Sequence, residues 1–510
     1  MEILEQLRRQ GVVTTRLTAD SRRVQPGDVF VAFPGAHVDG RDFIAQAMAK
    51  GAAAVIAEAE GNRGQTPISE GNRGQTPILR FIKSGSVPYF PGKTAIIEVE
   101  GLAALSGEIA HLVYGRPSEH LWLAGITGTN GKTSVSQWIA QAMTVLQHRC
   151  AVVGTLGNGF LDALDASPNT TPDAITLHAA LAKFVAQGAD ACAMEVSSIG
   201  LDQGRANGAA FDVAVFTNLT RDHLEYHHSM AAYAAAKEML FLRPGLAAAV
   251  LNLDDPAGVE LAAKLKGRPG SGMRVIGYAL GDADDSAVDQ MLRAGNLHMA
   301  ASGIEFDLHG VHFTAPVVGR FNVSNLLAVI GALLTRGERL QDIAVALRNL
   351  QPPPGRMQAL GGNQQPLVVV DYAHTPDALE KALGVLRETA AARGGKLTCV
   401  FGCGGERDPG KRPQMGAVAE ALADRVVLTS DNPRSEDAQA IIDDILGGMQ
   451  RSPLVQPDRA RAIADAVAAA DERDVILLAG KGHEPYQEIA GVRLPFSDID
   501  AAKSALVARR

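Results

Sequence analysis

The segment Thr127-Gly128-Thr129-Asn130-Gly131-Lys132-Thr133-Ser134 has the residue types that hold a polyphosphate. Glycines let the backbone curl so that its N–H groups converge on phosphate oxygens, and a helix starting there adds the positive end of its dipole. Lys132 would reach the terminal phosphates, and the hydroxyl of Thr133 or Ser134 would help hold Mg2+. The spacing is tighter than G-x-x-x-x-G-K-[ST], because Ile126 stands at the first glycine position. A lone Gly-Lys-Thr would read as an ordinary turn. Here residues 121–126 read as a buried strand, and Val135, Ile139, Ala142 and Met143 follow at helical spacing, which is the context a nucleotide site needs.

Two further groups could serve a cation. Residues 191–196 are apolar apart from Glu195, and Ser197-Ser198 follow. A carboxylate at a strand end beside hydroxyls suits a hard cation, although a capping or salt-bridged glutamate would look the same. Thr220-Arg221-Asp222-His223-Leu224-Glu225-Tyr226-His227 follows a second apolar strand, which is expected to bring His223 towards Glu195. In the next helical pattern Met230, Tyr233, Leu240 and Phe241 mark one face, and Lys237 falls on it. One reading has Lys237 snorkelling to solvent. The other buries its amine, which lowers its pKa and lets it capture CO2 as a carbamate, a carboxylate-like metal ligand.

The elements that must position these groups are legible as alternating apolar strands and helices. Strands are expected at 367–370, 397–401, 425–429 and 475–479, and the alternation implies parallel, doubly wound sheets with ligands at the carboxyl ends of strands. A chain of 510 residues suggests about three domains. Pro352-Pro353-Pro354-Gly355 is one break and a hinge candidate, and a second is placed near Gly101. The expected division is 1–100, 101–351 and 352–510, with a smaller N-terminal α/β domain, a central ATP-binding domain and a C-terminal Rossmann-like domain.

The net charge of −8 argues against a nucleic-acid groove. No run of about twenty apolar residues appears, and residues 1–10 lack a signal-peptide core, so a cytoplasmic protein with no membrane association is expected. Cys150, Cys192, Cys399 and Cys403 show no metal-type or disulfide spacing. Cys403 lies in a glycine-rich loop but has no activating neighbour in sequence, and it reads as a small buried residue.

Residues 60–68 and 70–78 are identical copies of Glu-Gly-Asn-Arg-Gly-Gln-Thr-Pro-Ile. Two polar copies cannot bury a core, so the repeat reads as a surface-loop insertion. Deleting residues 61–70, which leaves one copy, should change stability by less than about 1 kcal/mol, because loop-closure entropy varies slowly with length. Chemical denaturation of the deletion variant checks this, and a larger loss of stability would show that the second copy packs against the fold.

The ordered series of motifs resembles the Mur ligase family, which adds amino acids to UDP-linked muramic acid, over nearly the whole chain. Its landmarks are GTNGKTS at Gly128, NTTPD at Asn169, EVSS at Glu195, TRDHLEYH at Thr220, GRFNVSN at Gly319, GRM at Gly355, DYAHTPD at Asp371, GCGGERD at Gly402, DNPR at Asp431 and GKGHE at Gly480. The resemblance implies ATP as co-substrate, two Mg2+ ions, and Lys237 as a carbamylated lysine. Thr133, Glu195, His223 and Lys237 would then surround metal. Gly128, Thr129, Asn130, Gly131, Lys132, Thr133, Ser134, Asn322, Arg356 and Asp371 would face the nucleotide, with His374 a weaker candidate. Ser21, Asn169, Thr170, Thr171, Ser197, Gln203 and Arg205 would face the UDP-sugar-peptide. Arg407, Asp431, Asn432, Arg434, Gly480 and Glu484 would face an incoming diamino acid.

The implied reaction joins meso-2,6-diaminopimelate to the D-glutamate side-chain carboxylate of UDP-N-acetylmuramoyl-L-alanyl-D-glutamate through an acyl phosphate, in a monomer. Positioning and charge stabilisation by Lys132 and Mg2+ would be the main catalytic contributions. Addition of L-lysine is the alternative. A folate-extending glutamate ligase shares the loop and the lysine, but DNPR and Asp20-Ser21-Arg22 argue against both rivals. A GTPase or kinase would not need Lys237 on an apolar face, and a non-catalytic nucleotide-binding regulator would not need metal ligands. Two positions depart from the family pattern: Ile199 stands where histidine is usual, and His228 where glycine is common.

Overall fold

Runs of β-branched and small apolar residues, each ended by a polar or glycine-containing turn, form the strands of the computed structural model, and amphipathic segments between them form its helices. The structure describes residues 2–35, 38–59, 94–268, 272–300, 303–362 and 364–509. The duplicated segment 60–78 lies outside the described residues. Two compact units are present. One comprises Met1–Gly125, Gln147–Ala214 and Met239–Ala247, the other Ile126–Leu146, Val215–Glu238 and Ala248–Arg510.

In the first unit a parallel sheet runs in the order Leu17–Thr18, Val29–Ala32, Ala54–Glu58, Ala95–Val99. Alternate side chains enter two cores. Val29, Val31 and Ile56 pack with Ile3, Leu7 and Ile109, while Phe30, Val55 and Ala57 pack with Val24 and Ala47. That is the pattern of a parallel sheet covered on both faces. The buried Glu58 carboxylate accepts from the Gly101 and Leu102 backbone N–H groups, each at 2.7 Å, and so satisfies the start of the helix Leu102–Val113. Cys150–Gly154 pairs in parallel with Ala191–Glu195, and two short strands, Gly157–Phe160 and Ala163–Asp165, extend it antiparallel.

In the second unit Ala248–Asn252, Arg274–Ala279 and Gln290–Arg293 pair in parallel. The C-terminal sheet runs in the order Gln358–Gly361, Leu367–Asp371, Val475–Ala479, Leu397–Phe401, Arg425–Leu428, Leu454–Val455. All of its pairs are parallel except the first. Val369, Cys399 and Leu477 face helices Pro376–Arg393, Lys411–Leu422 and Ala438–Leu446. Val368, Val400 and Ile476 face Arg459–Ala469 and Asp498–Ala508. This is the expected doubly wound arrangement, and the expected C-terminal strands fall within a residue of those observed.

The antiparallel elements were not expected. A three-stranded sheet, Gly295–Ala300, Gly303–Leu308 and Val311–Ala315, stands apart from the parallel ones. Its second turn has only His309 and Gly310 between paired Leu308 and Val311, with φ of 47° and 78°. A two-residue connection with both φ positive fits an antiparallel hairpin and is too short for a crossover. All four cysteines are buried. Burial pushes the Cys403 thiol up to about 12, which agrees with an inert packing residue.

Candidate active site

The strand Trp122–Thr127, the glycine loop and the helix Lys132–Val145 follow one another as the sequence requires. Gly128 has φ +146°, and a Cβ there would meet Thr217 Oγ1 at 1.9 Å, so only glycine fits. Thr217 Oγ1 donates to Asn130 O at 2.6 Å, and Asn130 N donates to Asn218 Oδ1 at 2.8 Å. The strand end Val213–Phe216 thus splints the loop. Thr129 Oγ1 accepts from Thr220 N at 3.0 Å and lies 3.2 Å from Tyr233 Oη. Lys132 Nζ folds back onto the Gly128 and Thr129 carbonyls, each at 2.8 Å.

The same Gly128 carbonyl accepts from Lys237 Nζ at 3.0 Å. Lys237 is 2% exposed and lies 4.2 Å above the Tyr233 ring. It has no ion-pair partner among the described residues. Burial, and then the neighbouring Lys132 ammonium, push its pKa well below the usual lysine value. The snorkelling alternative is therefore wrong: the helix Met230–Glu238 turns this amine inwards.

His223 precedes the short helix Leu224–His227 with φ +53°. Its Nε2 lies 3.4 Å from Asp222 Oδ2 and its Nδ1 3.5 Å from Glu225 Oε1. Asp222 also meets His374 Nε2 at 3.5 Å and Lys411 Nζ at 3.7 Å. Burial works against the Asp222 carboxylate, but His374, His223 and Lys411 outweigh it and hold its pKa well down. Arg221 grips Asp408 through two bonds, of 2.7 and 3.1 Å.

Of the candidate nucleotide residues from later in the chain, Arg356 reaches this loop directly. Arg356 Nη2 donates to Thr133 Oγ1 at 3.1 Å, with its guanidinium 4.5 Å from the Tyr372 ring centre. Asn130 Nδ2 donates to Asp377 Oδ2 at 3.0 Å. Asn322 is buried and accepts from Asn325 Nδ2 at 3.0 Å. Asp371 Oδ2 accepts from Met357 N at 2.7 Å, and burial raises its pKa. Ser134 is buried in the first turn of the helix. The proline linker is anchored by Gln351, whose carbonyl accepts from Trp138 Nε1 at 3.0 Å.

In the first unit, six of the eight residues expected there gather around the end of Ala191–Glu195. Thr171 Oγ1 donates to Glu195 O at 3.0 Å and accepts from Ser197 N at 2.9 Å. Arg205 Nη1 donates to Thr171 O at 3.0 Å, and Arg205 Nη2 to Gln203 Oε1 at 2.7 Å. Sequence reasoning missed Thr155. Its N–H donates to Glu195 Oε1 at 2.9 Å, its hydroxyl to Glu195 Oε2 at 3.1 Å, and that hydroxyl lies 3.0 Å from Thr170 Oγ1. Its position after an apolar strand was the available signal. Asn169 O accepts from Ser167 Oγ at 2.8 Å. Ser21 lies elsewhere in the unit, donating to Gln46 Oε1 at 2.7 Å.

The C-terminal candidates converge at the ends of Leu397–Phe401, Arg425–Leu428 and Val475–Ala479. Asn432 Nδ2 donates to Glu484 Oε2 at 2.8 Å. Arg434, with φ +54°, donates its backbone N–H to Glu488 O at 3.0 Å, and its guanidinium reaches the Gly405 carbonyl. Arg407 lies 3.9 Å from Glu225 Oε1. A wholly buried pair supports these loops from below: Arg459 binds Asp498 through two 2.7 Å bonds and donates to Ala479 O at 2.9 Å and Ser430 O at 3.3 Å. Those carbonyls immediately precede Gly480 and Asp431.

Ile199 lies in the short helix Ser198–Asp202, half-buried. His228 is exposed and has φ +63°, the conformation that glycine takes without strain. The departure from glycine is therefore a strained one. His228→Gly should stabilise the protein by about 0.5–1 kcal/mol, the relief of a left-handed residue less the entropic cost of glycine. Denaturant unfolding tests this, and destabilisation would mean that the imidazole makes a compensating contact.

Comparison with known proteins places this geometry. The chain matches the Mur ligase family catalytic domain over residues 14–114, the Mur ligase middle domain over 126–333, and the Mur ligase glutamate ligase domain over 355–482. It is 52% identical to the UDP-N-acetylmuramoyl-L-alanyl-D-glutamate–2,6-diaminopimelate ligase of Pseudomonas aeruginosa, covering 96% of this chain and 95% of that one. It is 50% identical to the ligase of the same name from Ralstonia nicotianae, covering 99% and 96%. A solved structure of a 2,6-diaminopimelate ligase of that name superposes with TM-score 0.64 at 36% identity, over 97% of this chain and 95% of the other. The MurF ligase of Thermotoga maritima in complex with ADP shares the fold, with TM-score 0.63 at 18% identity over 97% and 98%.

Proposed function

Because the chain belongs to the Mur ligase family, we infer that it uses ATP to join meso-2,6-diaminopimelate to the D-glutamate side-chain carboxylate of UDP-N-acetylmuramoyl-L-alanyl-D-glutamate in peptidoglycan precursor synthesis. An amide does not form spontaneously from a carboxylate and an amine in water, so the carboxylate must first gain a leaving group. One carboxylate oxygen attacks the γ-phosphorus of ATP, giving an acyl phosphate and ADP. The diaminopimelate amine then attacks the acyl carbon. The C–O bond to phosphate breaks with its electron pair, and the amine's surplus proton leaves to solvent.

The observation that carries this reading is the single compact unit that holds the phosphate loop, buried Lys237 and the Asn432–Glu484 cluster. In it Gly128 to Ser134 cradle the polyphosphate, with Asn322, Arg356, Asp371 and, less directly, His374 on the nucleotide side. Lys132 leaves the two carbonyls it now holds and turns to the terminal phosphates. Arg407, Asp431, Asn432, Arg434, Gly480 and Glu484 receive the diamino acid. Ser21, Asn169, Thr170, Thr171, Ser197, Gln203 and Arg205 receive the UDP-dipeptide.

Mg2+ keeps waters and takes one or two carboxylates plus substrate phosphates, so it needs no dedicated protein cage. Thr133, Glu195, His223 and Lys237 as a carbamate would hold two such ions, which would neutralise charge on the transferring phosphoryl group. Carbamylation supplies a negative charge where two lysines now share one carbonyl. We assign the chain to the cytoplasm as a monomer, with domain divisions at 100/101 and 351/352. No helix among the described residues is long and apolar enough to cross a membrane.

Phosphate release from ATP tests the reading. It should require the UDP-dipeptide and the amino acid together, and hydroxylamine should trap an activated carboxylate when the amino acid is left out. Steady ATP hydrolysis indifferent to the UDP-dipeptide would overturn it.

A further inference from the structure

We propose that Lys481 is the positioning residue of the amine subsite, fixing the Asn432 amide and aiming one oxygen of Glu484 at the incoming diamino acid. The inference rests on the diamino acid reading above and goes beyond it. The lysine side chain has no exposed surface. A lysine is tolerated in a buried position where its donors are met by acceptors. Lys481 Nζ donates to Asn432 Oδ1 at 3.0 Å and to Glu484 Oε2 at 3.1 Å. It also lies 5.7 Å from the Tyr486 ring centre.

These bonds dictate two orientations. Asn432 Oδ1 accepts from both Lys481 Nζ and the Glu488 backbone N–H, the latter at 2.9 Å. The flipped amide would set its NH2 group against two donors, so the NH2 must face Glu484, where it donates to Oε2 at 2.8 Å. Both donors to the glutamate therefore fall on Oε2. Among the described residues Oε1 accepts no hydrogen bond, and it is the oxygen left for a ligand ammonium.

The backbone brings the two loops together beside Lys481. Gly480 has φ +112°, and a Cβ on it would meet Asp431 Oδ2 at 2.4 Å, so the loops after Val475–Ala479 and Arg425–Leu428 touch at this point. Glu484 N donates to Lys481 O at 3.0 Å, closing the turn that brings their side chains together. Lys481 thus ties the two recognition loops through their side chains, as Arg459 ties them through their backbones.

The test measures KM for meso-diaminopimelate, ATP and UDP-dipeptide in full-length wild type, Lys481→Met, Glu484→Gln and the double variant. Lys481→Met should raise KM for diaminopimelate about thirtyfold, the scale of losing charge-assisted bonds that act through a neighbour, with kcat and the other two KM values within about threefold. The double variant should be no worse than Glu484→Gln alone, because the lysine acts through the glutamate. Lys481→Gln keeps a donor without the charge. It should fall between wild type and Lys481→Met, and it carries the comparison should Lys481→Met not fold. Equal increases in all three KM values, additive effects, or a diaminopimelate KM within twofold of wild type would overturn the proposal. Should wild type turn over a different amino acid, the diaminopimelate assignment fails by itself, and Lys481 is judged by the same ratios for that amino acid.

Discussion

Lys237→Ala should fall to about a thousandth of wild-type activity or less, the scale of removing charge stabilisation at a phosphoryl-transfer centre. The side chain is buried, bonded to the Gly128 carbonyl, and pressed by burial and by Lys132 towards the neutral amine. A neutral amine is the form that adds CO2, and the carbamate places an anion beside the phosphate loop and the Lys132 ammonium. Acetate or another small carboxylate should partly restore the alanine variant by filling the vacated volume with a carboxylate. Arginine should not rescue, because guanidinium forms no carbamate and stays charged. Steady-state turnover with and without acetate checks this. Full activity of Lys237→Ala without additive would confine the residue to packing.

The second large effect concerns the choice of amino acid. Lysine and meso-diaminopimelate share a carbon chain and two amines, and differ by one carboxylate. A planar, always-charged fork that binds that carboxylate through two hydrogen bonds can read the difference, and Arg434 is such a group. Its backbone is held on one side by Pro433 and on the other by hydrogen bonds to Glu488 O at 3.0 Å and from Ala490 N at 2.6 Å. A non-glycine residue at φ +54° sits in a conformation that proteins reserve for sites that need it. Each charged hydrogen bond contributes roughly 1.5–3 kcal/mol, so two discriminate on the order of a thousandfold. Arg434→Ala should lose most of that preference for diaminopimelate over lysine while keeping turnover of saturating amino acid. If the variant keeps the full ratio, another residue reads the carboxylate.

The sequence showed the strand-end motifs because parallel α/β architecture confines ligand groups to those ends, and periodicity locates the ends closely. It left Lys237 open between two faces of its environment, since helical spacing says which side a residue takes but not what covers it. Thr155 and Lys481 escaped because each bonds a residue far along the chain, Glu195 and Asn432 respectively, and such pairing has no local signature; the bond from Lys481 to Glu484, three residues on, gains its meaning only once Asn432 is beside it. The antiparallel sheet at Gly295–Ala315 was hidden by a turn in which His309 takes the place asparagine usually has. His228 was seen as a departure, but its strain became visible only with its φ.

The most direct measurement is the ratio of kcat/KM for meso-diaminopimelate to that for L-lysine in the wild-type enzyme, with saturating ATP and UDP-N-acetylmuramoyl-L-alanyl-D-glutamate. The ratio should be about a thousand or more, as expected for a site built to pair a carboxylate that the competitor lacks. Equal use of lysine would contradict it.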